Sequence, residues 1–265
     1  QDIRDYYAKW YRPDLQGIMI VGDINVDEME AKLKKVFADV KAPVHPANRI
    51  YYPVADNQEP LIFIGTDKEI ETPSISFFFK SEAFPDSLKN TINYYGIQYM
   101  LSMGISMLNS RLAEIRQQAD PPFTGASAGY GDFFVAKTKS AFGIDASSKI
   151  GGIELAMKTI LEEAERARRF GFTETEYDRA RANYLQRVES AYNEREKMKN
   201  DTYVNEYISN FLDNEPMPGI EYEYAMMNKL APNIPVTAIN QVMQQLITDN
   251  NQVVLLAGPE KEGLK

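Results

Sequence analysis

The 265-residue sequence contains no cysteine and one histidine, His45. The first absence excludes disulfides, thiolate nucleophiles and cysteine-ligated zinc, but it leaves the compartment open, because cysteine-free chains occur on both sides of a membrane. The second removes most routes to a histidine-rich metal site or an imidazole base. His45 stands between Val44 and Pro46 in a proline-rich stretch, where a solvated loop residue is expected. There is no basic block either. The 29 Lys and Arg against 38 Asp and Glu give a formal net charge of -9, which argues against a nucleic-acid binder, since tracking phosphates requires clustered cations. No apolar run approaches the roughly 20 residues of a membrane-spanning helix.

What is present is the material of a packed domain. Hydrophobic residues make up 44% and charged residues 25% of the chain, and a chain of this length buries roughly three quarters of its unfolded surface, enough for one or two ordinary domains. The first ten residues carry no initiator Met, basic segment or signal-like run. They enter directly into Ile3, Tyr6, Tyr7 and Trp10 at helical spacing, so the chain is expected to begin inside an element of something longer. Arg12-Pro13-Asp14 should end that helix. A buried strand is expected at Ile18–Val21 and a helix after Asn25 with Met29, Leu33, Val36 and Phe37 on one face. The stretch from Lys41 to Asn48, with Pro43 and Pro46, reads as a linker.

Beyond the linker, Pro60–Gly65 and Ser74–Lys80 read as paired strands separated by a charged turn, and Ser87 to about Gln118 as one long helix ended by Asp120-Pro121-Pro122. Strand-like segments surround Gly129-Tyr130-Gly131 and Phe142-Gly143-Ile144. A helix bearing Ile153, Leu155, Ile160 and Leu161 follows Gly151-Gly152. Thr173 and Glu176 have the spacing of a capping box that opens a long helix running toward Lys197. Val253–Ala257 reads as a final strand. The two ends also match each other without a gap: Ile3 aligns with Ile239, Tyr7 with Met243, Trp10 with Leu246, Tyr11 with Ile247, Ile18–Val21 with Val254–Ala257 and Gly22 with Gly258. Such a recurrence of helix, turn, apolar strand and glycine implies a duplicated architecture. Residues 1–45 would then be the tail of one unit and 46–265 nearly all of the next.

The run Tyr7-Ala8-Lys9-Trp10-Tyr11-Arg12-Pro13-Asp14, followed by Ile18-Met19-Ile20-Val21-Gly22-Asp23, resembles a segment of the insulinase/pitrilysin zinc metallopeptidases. Asn109-Ser110-Arg111-Leu112-Ala113-Glu114-Ile115-Arg116, followed by Pro121-Pro122-Phe123, resembles the second unit of the large bacterial, four-unit members. The resemblance implies an α+β fold, a two-layer unit with a mainly antiparallel sheet and helices on one face. It also implies that paired halves of the parent close around a substrate chamber. The family's chemistry needs His-x-x-Glu-His on a helix plus a distant Glu, so that two imidazoles one turn apart share a zinc and the Glu activates its water. This chain has no such motif. Catalytic and metal residues are therefore expected to be none here, with zinc held by an upstream unit.

A later unit of the family supplies an Arg and a Tyr, seven residues apart, opposite the zinc. Arg116 stands at the Arg position, but Phe123 replaces the Tyr and lacks its hydroxyl, so the pair is not carried over. Arg116, Phe123 and Arg111 remain weak substrate-contact candidates, with a solvated Arg116 and a core Phe123 as the plainer readings. Gly129-Tyr130-Gly131-Asp132 and Gly151-Gly152 lack the Lys and Ser/Thr of a phosphate loop. Ser110 and Thr124 have no local base for a serine triad. The expected role is a non-catalytic, chamber-forming segment of a zinc-dependent metalloendopeptidase, offering a sheet edge to peptide substrates beside the other units of the parent, in the periplasm or cell envelope. The alternative is a scaffold or assembly subunit of the same fold without peptidase activity.

Overall fold

The computed structural model describes residues 1–260; the last five residues of the expected second unit, 261–265, lie outside them. Along the chain, α1 (Asp2–Trp10) and α2 (Val26–Val36) precede β1 (Leu61–Asp67) and β2 (Ser74–Glu82). Helices α3 (Asp86–Lys89) and α4 (Ile92–Arg116) lead to the hairpin of β3 (Gly125–Phe133) and β4 (Ala136–Ser147). Then come α5 (Ile153–Phe170), α6 (Glu174–Asn193), α7 (Asn200–Asp213), α8 (Ile220–Leu230), α9 (Val236–Leu246) and β5 (Gln252–Pro259). Two compact units result, a small one from 1–50 with 193–219 and a large one from 51–192 with 220 onward.

Side-chain caps set three of the helix starts, those of α2, α4 and α6. The Asn25 side chain accepts from the Glu28 amide at 3.2 Å, satisfying one of the orphan donors of α2. The Thr173–Glu176 capping box forms in both directions: Thr173 N–H donates to Glu176 Oε2 at 2.8 Å and Glu176 N–H to Thr173 Oγ1 at 3.3 Å. The single helix expected from Ser87 is instead two. Thr91 adopts extended backbone and its hydroxyl accepts from the Tyr94 amide, so it ends α3 and restarts the chain as the cap of α4.

The large unit is a five-stranded sheet in the order β1-β5-β2-β4-β3, antiparallel except for the parallel β1–β5 pair. Pro60–Gly65 and Ser74–Lys80 are strands as expected, but they do not pair with each other. β5 lies between them, with Val254 opposite both Ile62 and Phe77. The near-continuous apolar run of β5 suits a central strand flanked on both sides. Helices α4, α5 and α9 cover one face, where Phe77, Phe79, Phe142 and Ile144 meet Met103, Met107, Ile160 and Ile239 in one core. α4 and α9 come so close that a Cβ on Gly104 would lie 2.5 Å from Met243 Sδ. The opposite face carries Ser76 hydrogen-bonded to Asp145 at 2.5 Å. The mixed α+β, mainly antiparallel architecture is thus as read from the resemblance.

The small unit differs from expectation at one point. Ile18–Val21 belongs to no strand ladder. No strand occurs among residues 1–50 and 193–219 to receive its hydrogen bonds, so the recurrence at the two ends is reproduced in the helices α1 and α9 but not in the strands. Arg12 explains why the turn before it holds. It is 6% exposed, donates to the Ala47 carbonyl at 2.8 Å and pairs with Asp14 at 3.1 Å, tying Ala47 to the turn that follows α1. Ile3 on α1, Val36 at the end of α2 and Phe37 just after it are exposed.

Candidate functional site

The three candidate residues fall in three different environments. Arg116 is the last residue of α4 and is exposed. Phe123 is 1% exposed and belongs to the hydrophobic core, where an aromatic ring after two prolines fills volume beneath the sheet. Arg111 is buried. Its Nε donates to Glu176 Oε1 at 2.6 Å, and its Nη2 donates to Glu176 Oε2 and to the Gly171 carbonyl, each at 3.0 Å. Its guanidinium also lies 4.5 Å from the Phe172 ring. The five donors of an arginine fork suit this task better than a lysine would.

Glu176 shows the electrostatic consequence. Burial, the largest influence, would raise its pKa, but hydrogen bonds from Arg111 and from Thr173 together bring it down from 4.5 to about 2. The Arg111–Glu176 pair therefore joins the C-terminal part of α4 to the start of α6.

A groove of about 700 Å³ runs between α4 and β3. Its helix wall carries Leu101, Ile105, Ser106, Asn109 and Ser110, and its strand wall Gly129 and Tyr130. β3 is an edge strand. At its middle, Ala128 N–H donates to Asn109 Oδ1 at 2.6 Å, and the Ala128 carbonyl accepts from Asn109 Nδ2 at 3.0 Å. Asn109 was legible only as one letter of the Asn-Ser-Arg-Leu resemblance; an isolated asparagine on a helix carries no pattern that marks this role.

Two lysines on the face away from the helices also escaped the sequence reading. Lys139, 5% exposed, is 2.8 Å from Asp56 and contacts Glu82, and hydrogen bonds to these carboxylates raise its pKa. Lys80, 4% exposed, donates to the Ala55 carbonyl at 2.5 Å; burial depresses its pKa. Both tie the segment after the linker to β2 and β4. Among the described residues no group of three or more His, Cys, Asp or Glu side chains is placed to hold a metal ion, and His45 is an exposed loop residue. The donors among the described residues do not fit a zinc site.

The family model for the peptidase M16 inactive domain matches residues 1–184. The chain belongs to this family. The M16 inactive domain described here is 27% identical over 259 residues to an Arabidopsis thaliana protein described as "Zinc protease PQQL-like", covering 97% of this chain and 24% of that one. It is 22% identical over 245 residues to the "Probable zinc protease PqqL" of Escherichia coli, covering 92% of this chain and 26% of that one. Its fold is similar to the crystal structure of the periplasmic protease PqqL from Escherichia coli, with a TM-score of 0.79 at 21% identity over 97% of this chain and 28% of that one. The chain thus spans about a quarter of the length of the curated relatives it matches. The insulinase/pitrilysin resemblance read from Tyr7–Asp14 and Asn109–Arg116 is borne out: the matching family model is that of an inactive domain, and the relatives are named as zinc proteases.

Proposed function

We propose that this M16 inactive domain is a wall of the substrate chamber in a zinc metallopeptidase that hydrolyses peptides, with the zinc held by an upstream unit of the same parent chain. The α4–β3 groove is the observation that carries the reading: it is an uncharged concave surface beside a sheet edge, the setting in which an extended peptide docks by strand addition. On this reading residues 1–45 are the tail of a preceding unit and 46–265 the non-catalytic second one. In the parent, the apolar residues that α1, α2 and Ile18–Val21 leave uncovered would pack on the preceding unit, which would supply the missing sheet. Arg116 is the candidate contact among the three, because it is exposed at the C-terminal end of α4; Arg111 and Phe123 serve the scaffold. The relatives named as zinc proteases, one of them described as periplasmic, support zinc in the parent and an envelope location.

A photo-crosslinking experiment on the full-length parent tests the wall role. With a benzophenone-labelled peptide substrate, cross-links should map to Ser106, Ser110 or Tyr130. Cross-links that avoid the groove entirely, on a parent that still cleaves the peptide, would contradict it.

A further inference from the structure

The small unit has no hydrophobic core of its own. Among its described residues, 1–50 and 193–219, only Arg12 is buried, and the buried apolar side chains of the described chain all lie elsewhere. Within it, α7 keeps a defined place. A Cβ on Gly17 would lie 3.2 Å from the Phe211 ring, near the end of α7, and one on Gly22 would lie 3.8 Å from Asn200 Nδ2, at its start. From Asn200 to Phe211 the helix rises about 16 Å, about the reach of five strand residues. α7 thus runs alongside Ile18–Val21 in the opposite chain direction. Burial along that segment alternates, with Met19 and Val21 half-buried and Ile18 and Ile20 exposed, which is the period of a strand covered on one face. Met19 Cε comes within 3.0 Å of the same Gly17 position as the Phe211 ring, so α7 sits on the Met19 face.

The recurrence at the two ends of the chain tells which face that is. Ile18 and Ile20 take the places of Val254 and Leu256, whose side chains pack into the core beneath the helices of the large unit. α7 therefore lies on the opposite face, and it has apolar surface to spare. Tyr203, Tyr207 and Phe211 recur at four-residue steps with Ile208 and Leu212 beside them, yet α7 buries no residue, and Tyr207, Ile208, Phe211 and Leu212 are each more than a third exposed. We propose that α7 is a clasp that the second unit lends to the preceding one. In the parent it covers the open face of that unit's sheet, with Phe211 on the strand formed by Ile18–Val21 and Tyr207, Ile208 and Leu212 over the strands beside it. This rests on the reading of residues 1–45 as the tail of a preceding unit, and adds the element that holds the two units together. The segment that α7 already touches identifies the occupant: Ile18–Val21 belongs to no ladder, and any strand that pairs with it extends, at a spacing of about 4.8 Å, the surface on which Phe211 rests.

Hydrogen exchange on the 265-residue chain and on the full-length parent tests the clasp. At 14 residues, α7 is near the length at which a helix without packing is marginal in water. Its amides should exchange readily in the isolated chain and at least about tenfold more slowly in the parent, together with those of Ile18–Val21. Phe77 and Phe79, in the core of the large unit, should be protected alike in both. In the parent, Tyr207→Ser combined with Leu212→Ser should speed exchange at Ile18–Val21 about tenfold and leave Phe77 and Phe79 unchanged. Protection of Ile18–Val21 without α7 would overturn the clasp and leave the preceding-unit reading standing, whereas protection of neither would overturn both. Protection of α7 that grows with the concentration of the isolated chain would also overturn it, by assigning the face to a second copy.

Discussion

Arg111 and Glu176 form a two-bond ion pair, 2.6 Å from Nε to Oε1 and 3.0 Å from Nη2 to Oε2, that fastens the C-terminal half of α4 to the first turn of α6. The same carboxylate completes the Thr173 capping box. A residue that resembles a family signature is thus committed to holding two helices together, and the energetic consequences can be measured.

Glu176 makes stability depend on acid. Its folded pKa of about 2 lies below the ordinary 4.5, so the ionised form is favoured by folding; the stabilisation is complete above about pH 4.5 and is lost as pH falls toward 2. At roughly 1.4 kcal/mol per pH unit, that interval corresponds to about 3 kcal/mol. Urea unfolding of the unsubstituted chain and Glu176→Gln should therefore differ by a few kcal/mol near neutral pH and converge near about pH 2. A difference independent of pH would show that the pair contributes through packing alone.

Removing the other partner leaves a charge without its cation. Arg111→Ala should cost about 3 kcal/mol or more, in the range for breaking a buried pair, whereas exposed Arg116→Ala should change stability by less than about 0.5 kcal/mol. In the full-length parent the order reverses for substrate: Arg116→Ala should raise KM with the zinc content unchanged. Equal stability losses at both positions would contradict the division of roles.

Restoring the hydroxyl missing at position 123 should not restore a binding residue. Phe123 lies in the core, and a phenol oxygen introduced there without a partner costs about 1–3 kcal/mol. Phe123→Tyr should lower the thermal midpoint and leave peptide binding unaltered; tighter peptide binding would show that the ring reaches the surface.

Gly171 is a backbone requirement. Its φ is +67, and a Cβ there would lie 2.4 Å from Asn240 Cγ, so Gly171→Ala combines a left-handed strain with displacement of the Asn240 clamp on Phe172. A loss of about 2–4 kcal/mol is expected by denaturant unfolding, and a loss below about 1 kcal/mol would show that the loop relaxes freely.

The β1 edge presents Leu61, Ile62, Phe63 and Ile64, all more than half exposed, with no charge among them. Long apolar edges without charge invite pairing with other chains, and Ile62→Lys should reduce concentration-dependent association of the chain in light scattering while leaving the Val253–Phe78 ladder intact. Unchanged association would place the sticky surface elsewhere.

Much of this architecture is encoded locally and could be read as such. The Thr173–Glu176 box, the Asn25 cap, the β3–β4 hairpin and the proline stop after α4 each depend on residues a few positions apart. The insertion of β5 between β1 and β2 does not: Asn57 bonds to Asn251 and Gln252 across more than 190 positions, and no local pattern specifies such a partner. For the same reason Ile18–Val21 carries a strand signal without a ladder, and residues 193–219 join the small unit unannounced. At the candidate site, the identity of Phe123 pointed to the core, since a missing hydroxyl is visible in sequence. Asn109 gave no such sign, because its role depends on which strand residue it happens to face.

If this segment forms a wall of the chamber as proposed, the metal chemistry belongs to residues outside it. Zinc stoichiometry and peptide hydrolysis, measured side by side on the 265-residue chain and on the full-length parent, test it most directly. The account predicts about one zinc and chelator-sensitive cleavage in the parent, with neither in the segment. Stoichiometric zinc and chelator-sensitive cleavage by the isolated segment would contradict it.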